Sequence, residues 1–283
     1  MKTTTEILPV SLGPHRLYVE AEAGEGTPVV LMHGFPDNTH LYDRLVPYLT
    51  GRRPVVRFDF LGWGRSDKPA GYPYTAANQV SDVAAVAKAA REHFGACQLV
   101  LVAHDASGPP AIDWALANPG QVEALVLLNT YYHWTPSLRR PPAIALYSTP
   151  LIRNAARAAV IRRPDLDRRL YKWQVGKFIQ DPTLRAQLVP ELYEQFRPAR
   201  PAFWRLNDDL LTAVLARRLR IPQMRRFEPP VRVIFGASDR YLNPRVAARF
   251  AALFPNAEMH LLGGAGHYVQ VDQPKRVAEL MLT

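Results

Sequence analysis

One cysteine, Cys97, stands in 283 residues. A disulfide within the chain is therefore excluded, and with it any small cross-linked scaffold. Cys97 itself reads as a small apolar residue packed just before a strand. No apolar run approaches the roughly 18 residues a spanning helix needs, so no membrane segment is expected. The stretch from Met1 to Gly13 has no apolar core of a secretory signal, which points to a cytoplasmic protein. Zinc-ligand spacing is missing, as are the signatures of an RNA-recognition sheet or a DNA-reading helix. The chain also lacks internal repeats and low-complexity tracts.

What is present is basic and apolar. The formal charge is +10, and 48% of residues are hydrophobic, enough for a sizeable core. The arginine excess gathers between Arg139 and Arg226, interleaved with carboxylates and prolines. Without a recognition motif, that pattern reads as a solvated surface, and no nucleic acid or membrane partner is expected.

Short β-branched runs alternate with longer helical patterns. Strands are expected at Val29–Met32, Val55–Phe60, Leu99–Val102, Val122–Leu128, Val231–Phe235 and Met259–Leu262. Helices are expected at 76–94, 110–118, 244–254 and 269–282. Strands of this kind, buried on both faces and alternating with helices, imply an α/β protein with a mostly parallel sheet and helices on both faces. Between about Tyr131 and Pro230 the alternation stops. That segment reads as helices at 143–160, 166–179, 183–196 and 208–219. The domain reading is a core of residues 1–130 and 231–283 and a helical cap of residues 131–230, set over the sheet edge where such folds bind ligands.

The chemistry centres on Leu99-Val100-Leu101-Val102-Ala103-His104-Asp105-Ala106-Ser107-Gly108. An apolar run enters a turn flanked by small residues, and a helical stretch leaves it. This is the setting of a nucleophile elbow, with Asp105 where a serine is usual. A carboxylate is a poor acyl nucleophile, but it can displace a leaving group from saturated carbon and form an alkyl ester. Ser107 is the rival nucleophile, but its neighbours two positions away are Asp105 and Pro109 instead of small residues. An elbow nucleophile needs an acid and then a histidine later in the chain. Asp239 follows the strand ending at Phe235-Gly236, and His267 follows the last strand in Gly263-Gly264-Ala265-Gly266-His267. Backbone N–H groups of Ala106 and of Phe35, in His33-Gly34-Phe35-Pro36, are the expected oxyanion donors.

Those segments, together with Asp59-Phe60-Leu61-Gly62-Trp63-Gly64-Arg65-Ser66-Asp67, Gly236-Ala237-Ser238-Asp239 and Gly266-His267-Tyr268-Val269-Gln270, resemble the α/β-hydrolase superfamily. The likeness is to its branch of epoxide hydrolases and haloalkane dehalogenases. It implies a helical cap inserted after the sixth strand, an ester on Asp105, and water activated by His267. No metal or organic cofactor is implied. His33-Gly34-Phe35-Pro36 is similar to the epoxide hydrolases. Ala106 stands where dehalogenases, and many epoxide hydrolases, carry Trp. The resemblance calls for aromatic donors opposite the nucleophile. Trp204, in Phe203-Trp204-Arg205, and Tyr147 are the nearest matches, with Tyr131 and His133 as further candidates. Tyr171 and Tyr193 read as packing residues. The expected function is opening of an epoxide to a diol. The alternatives are a haloalkane or haloacid dehalogenase and a ligand-binding homologue without turnover. The partner is a small, largely apolar molecule; the oligomeric state stays open.

Overall fold

In the computed structural model, residues 4–282 are described. Nine strands form one sheet: β1 (Thr5–Ile7), β2 (Val10–Leu12), β3 (His15–Glu22), β4 (Val29–Met32), β5 (Val55–Asp59), β6 (Leu99–Asp105), β7 (Val122–Thr130), β8 (Val231–Gly236) and β9 (Ala257–Leu262). Their order is β1-β3-β5-β4-β6-β7-β8-β9, with β2 beside β3. From β5 to β9 all pairings are parallel. The β1–β3 ribbon is antiparallel and was not expected from the sequence. β1 and β2 have three residues each, Thr5–Ile7 is exposed along its length, and the eight-residue β3 mixes charged residues with apolar ones, so no apolar run marks the ribbon. The central strands are buried on both faces, as continuous Val/Leu runs require.

The core helices are α1 (Val46–Leu49), α2 (Ala76–Phe94) and α3 (Gly108–Ala117). α2 opens on a capping box, in which Thr75 and Asn78 satisfy each other's backbone N–H groups, and closes on the left-handed Gly95. Between β7 and β8 lies a helical insertion of α4 (Pro142–Ser148), α5 (Pro150–Arg162), α6 (Pro164–Val175), α7 (Pro182–Asp208), α8 (Leu210–Ala216) and α9 (Ile221–Met224). In chain order it follows the seventh strand, not the sixth. The short β1 and β2 both pair with β3 and raise the count. The chain ends with α10 (Pro244–Ala251), α11 (Val269–Asp272) and α12 (Pro274–Leu282).

Proline explains the other differences. One expected helix over 143–160 is two, split at Thr149-Pro150. The closing helix is likewise split at Gln273-Pro274. Conversely, α7 runs 27 residues through Pro190, Pro198 and Pro201. Its Val189, Leu192, Tyr193, Phe196 and Phe203 are buried, and that packing outweighs the lost backbone bonds. Cys97 is exposed, so it does not pack as expected; it precedes β6 in a polar connection. Among the described residues no helix is long and apolar enough to cross a membrane.

Two ties join the insertion to the core near the site. Arg217 pairs with Asp113 of α3 at 3.1 Å, and Tyr132 donates to the same carboxyl at 2.6 Å. Tyr171 of α6 lies with its hydroxyl 3.4 Å from the Pro36 carbonyl.

Candidate active site

The strand order reverses direction of growth at β4, with β5 on one side and β6 on the other. Loops leaving the carboxyl ends of β4 and β6 therefore face each other across a crevice. Asp105 ends β6 in a left-handed conformation, φ 48°, where the register with β7 slips. That conformation is uncommon for a residue with a side chain. It turns the carboxylate out of the strand while α3 starts at Gly108. Small residues are needed here by contact. A Cβ on Gly108 would stand 1.9 Å from Thr130 Oγ1, and one on Gly34 would stand 2.7 Å from the Asp105 Cβ.

The structure brings the three residues of the expected triad together. His267 Nδ1 lies 2.7 Å from Asp239 Oδ2, and its Nε2 lies 3.8 Å from an Asp105 oxygen. Asp239 is held by four donors. The N–H groups of Tyr241 and Leu242 reach Oδ1, and Asn129 Nδ2 and His267 Nδ1 reach Oδ2. Burial alone would raise its carboxyl; the His267 charge and these hydrogen bonds hold it below the usual carboxylate range. For His267, burial opposes protonation. The Asp239 charge, its hydrogen bond and the charges of Asp105 and Asp37 outweigh that and lift the imidazole to about 9. Burial raises the Asp105 carboxyl, against the pull of His267 and the N–H groups of Ala106 and Phe35.

The two N–H groups expected as oxyanion donors, those of Phe35 and Ala106, both lie at the Asp105 carboxylate. Phe35 N–H points at Asp105 Oδ2 across 3.4 Å. Its loop is fixed by His33, a buried imidazole that accepts from Phe60 N–H at 3.2 Å and so donates through Nδ1 to the Gly34 carbonyl at 2.7 Å. Phe35 stacks on Trp63, ring centroids 4.2 Å apart. Ser107 is fully buried. Its hydroxyl sits 2.8 Å from the carbonyls of Met32 and His104 and accepts from His104 N–H, which leaves it no access to substrate.

Above Asp105 lies a cavity of about 290 Å³, walled by the carboxyl edge of the sheet and by the insertion. Asp105 and His267 form its floor. Of the four aromatic donor candidates, Tyr131 and Tyr147 line it, and Trp204 and His133 do not. Successive helix residues point about 100° apart. Phe203 takes the cavity-facing position in α7, which turns Trp204 toward the Arg157 guanidinium, 5.6 Å from its ring. His133 sits at the outer turn, bonded to the Trp134 carbonyl at 2.8 Å. Tyr171, read as packing, lines the cavity instead. The Asp105 charge helps burial raise the Tyr131 hydroxyl. For Tyr147, lifted to about 12 mainly by burial, the charge that contributes is Asp167.

Three further residues of the site had no role assigned from the sequence. Asn129, φ 32°, bridges Asp239 and the Gly236 N–H. His104 is wholly buried and reaches the His267 carbonyl at 3.0 Å. Asp37 accepts from Tyr268, and burial raises it to about 7. Their positions beside a strand end, an elbow and a glycine turn were the available clue. Among the described residues no cluster of His, Cys, Asp and Glu is arranged to hold a metal.

The profile of the α/β hydrolase fold family matches residues 27–274, and the chain belongs to that family. It is 26% identical over 273 residues to haloalkane dehalogenase 2 of Mycobacterium bovis, covering 92% of this chain and 88% of the relative. It is 26% identical over 269 residues to a cis-3-alkyl-4-alkyloxetan-2-one decarboxylase of Shewanella oneidensis, covering 90% and 80%. It is 25% identical over 271 residues to the human (lyso)-N-acylphosphatidylethanolamine lipase, covering 90% and 78%. Among solved structures, a meta-cleavage product hydrolase superposes with a TM-score of 0.78 at 18% identity, over 98% of this chain and 96% of that one.

Proposed function

We propose that the protein is a hydrolase that forms an alkyl ester on Asp105 and opens an epoxide to a diol. The observation that carries this reading is a carboxylate on a left-handed bend, facing an apolar cavity and 3.8 Å from an imidazole that Asp239 orients. An Asp105 oxygen attacks a ring carbon, and that carbon–oxygen bond breaks. The ring oxygen takes a proton from the Tyr131 hydroxyl, giving a hydroxyalkyl ester and a phenolate. Water then adds to the ester carbonyl while His267 takes its proton. The N–H groups of Phe35 and Ala106 hold the tetrahedral oxyanion. Collapse releases the diol and the carboxylate and leaves His267 as the imidazolium of the resting state.

Charge supports this order of events. The Asp105 carboxylate helps keep His267 protonated in the resting state. Esterification removes that negative charge and lowers the imidazole's affinity for its proton. His267 thus gives its proton through water to the Tyr131 phenolate and becomes a base after the ester has formed. Tyr131 favours an epoxide, because a phenol can deliver a proton and an indole cannot.

A dehalogenase is the second reading, supported by the similarity to haloalkane dehalogenase 2. It loses force where Trp204 turns away from the cavity. The helical insertion acts as the cap in either reading. Intact-mass analysis of His267→Gln with small epoxides and haloalkanes tests both. An Asp105 adduct of the epoxide mass supports the proposal. Halide release without diol from wild type assigns the protein to the second reading, and no adduct from either reagent ends the ester mechanism.

A further inference from the structure

One face of α6 forms a wall of the cavity: Asp167, Tyr171 and Gln174 point inward at helical spacing, and Phe178 follows just past the helix end. Phe178 lies against His267, ring centroids 4.5 Å apart, so the end of α6 abuts the triad. Asp167 stands eight residues before Val175, about 12 Å farther along the helix axis. It therefore marks the part of the cavity remote from the reacting carbon.

Asp167 is 4% exposed. Its Oδ2 accepts from Tyr193 Oη at 3.0 Å and from Arg200 at 3.2 Å. Its Oδ1 accepts from no described residue, yet it is not sealed within the protein as the orphaned buried atoms are. A carboxylate oxygen left without a donor in such surroundings is costly, and a ligand donor placed there forms a charge-assisted bond. Arg200 already balances the carboxylate charge, so Oδ1 suits a neutral donor.

We infer that Asp167 is a specificity-determining residue: its Oδ1 accepts a hydrogen bond from a hydroxyl or N–H at the end of the substrate distant from the ring. The substrate class is then an apolar epoxide bearing a terminal alcohol or amide, with terminal carboxylates rejected by Asp167. The inference rests on the proposed reaction only for which end reacts.

The test uses unreactive ligands, so it is independent of turnover. 1-Hexanol and 1-methoxypentane are isomers of equal size, and the ether lacks a donor. Binding to the purified full chain is measured by calorimetry or ligand-observed NMR. Wild type should bind the alcohol about tenfold more tightly. In Asp167→Asn the amide carbonyl must face Tyr193 and Arg200, which turns the NH2 into the cavity. Both ligand oxygens can accept from that NH2, so the preference for the alcohol should vanish while the ether binds at least as tightly as to wild type, a combination that loss of packing would not produce. Asp105→Asn should keep the wild-type order. Equal binding of the isomers to wild type overturns the inference, and this comparison stands even if the Asp167 variant does not fold. A preference that survives Asp167→Asn, or vanishes in Asp105→Asn, also overturns it.

Discussion

Asn129 binds Asp239 through the same carboxylate oxygen that His267 uses, at 2.9 and 2.7 Å. The amide thus fixes the oxygen that fixes the imidazole. Asn129→Gly removes the amide and tolerates the positive φ. Of the two buried bonds lost, the one to Asp239, worth roughly 1.5 kcal/mol, should slow ester hydrolysis about tenfold, with ester formation less affected. Single-turnover mass spectrometry in 18O water separates the two steps. Equal slowing of both would mean that Asn129 supports the whole site and not the imidazole alone.

The phenol of Tyr131 and the indole of Trp204 make opposite predictions. Tyr131→Phe should reduce epoxide opening about a hundredfold or more by removing the proton donor. Trp204→Phe should leave it within about threefold, since the indole does not line the cavity. Steady-state kinetics on one epoxide decides between them; the reverse ranking would restore the assignment read from the sequence.

Stability should fall on the alkaline side. The folded state lifts His267 to about 9, so it binds the proton more tightly than the unfolded chain, whose histidine titrates near 6.5. That contribution is complete below pH 6.5 and disappears as pH rises to 9. Denaturant unfolding at pH 6 and 9 should show a loss of about 1–3 kcal/mol. In His267→Gln this part of the loss should be missing.

Asp82, outside the site, acts in a lower window. Burial raises its carboxyl to about 7, although Oδ2 accepts from Leu61 N–H at 3.0 Å. The folded state again holds the proton more tightly. Stability therefore falls between about pH 4, where the unfolded carboxyl ionises, and pH 7. Asp82→Asn keeps an acceptor for Leu61 and has no proton to lose, so its melting temperature should vary less with pH over that range. An unchanged profile would show that Asp82 is ionised in the folded protein.

Gly108→Ala should disturb fold and site together. The added methyl meets Thr130 Oγ1, the group that donates to the Asp105 carbonyl. Overpacking of this kind costs about 1–3 kcal/mol. Thermal unfolding and the rate of ester formation should both decline; a fall in stability alone would separate Thr130 from the setting of the nucleophile.

The parallel sheet was legible because its central strands are largely apolar runs, and the meeting of Asp105, Asp239 and His267 because each follows such a run. The placement of Phe35 and Ala106 beside Asp105 followed from the same elbow pattern. The antiparallel N-terminal ribbon was not legible, since β1 and β2 have only three residues each and β3 interrupts its apolar residues with Arg16, Glu20 and Glu22. Neither was the orientation of α7. Spacing placed Trp204 on a helix, but the face turned to the cavity depends on Arg157 and Phe203, which come from packing. Asn129 was hidden because an amide at a strand end has no distinctive pattern until Asp239 lies beside it.

The left-handed bend at Asp105 is formed when the chain folds, long before any substrate arrives. In the proposed reaction, encounter then requires no rearrangement of Asp105, and the energy of association remains available for aligning the electrophilic carbon. A flexible carboxylate would have to be immobilised at every turnover; this one is immobilised once per molecule.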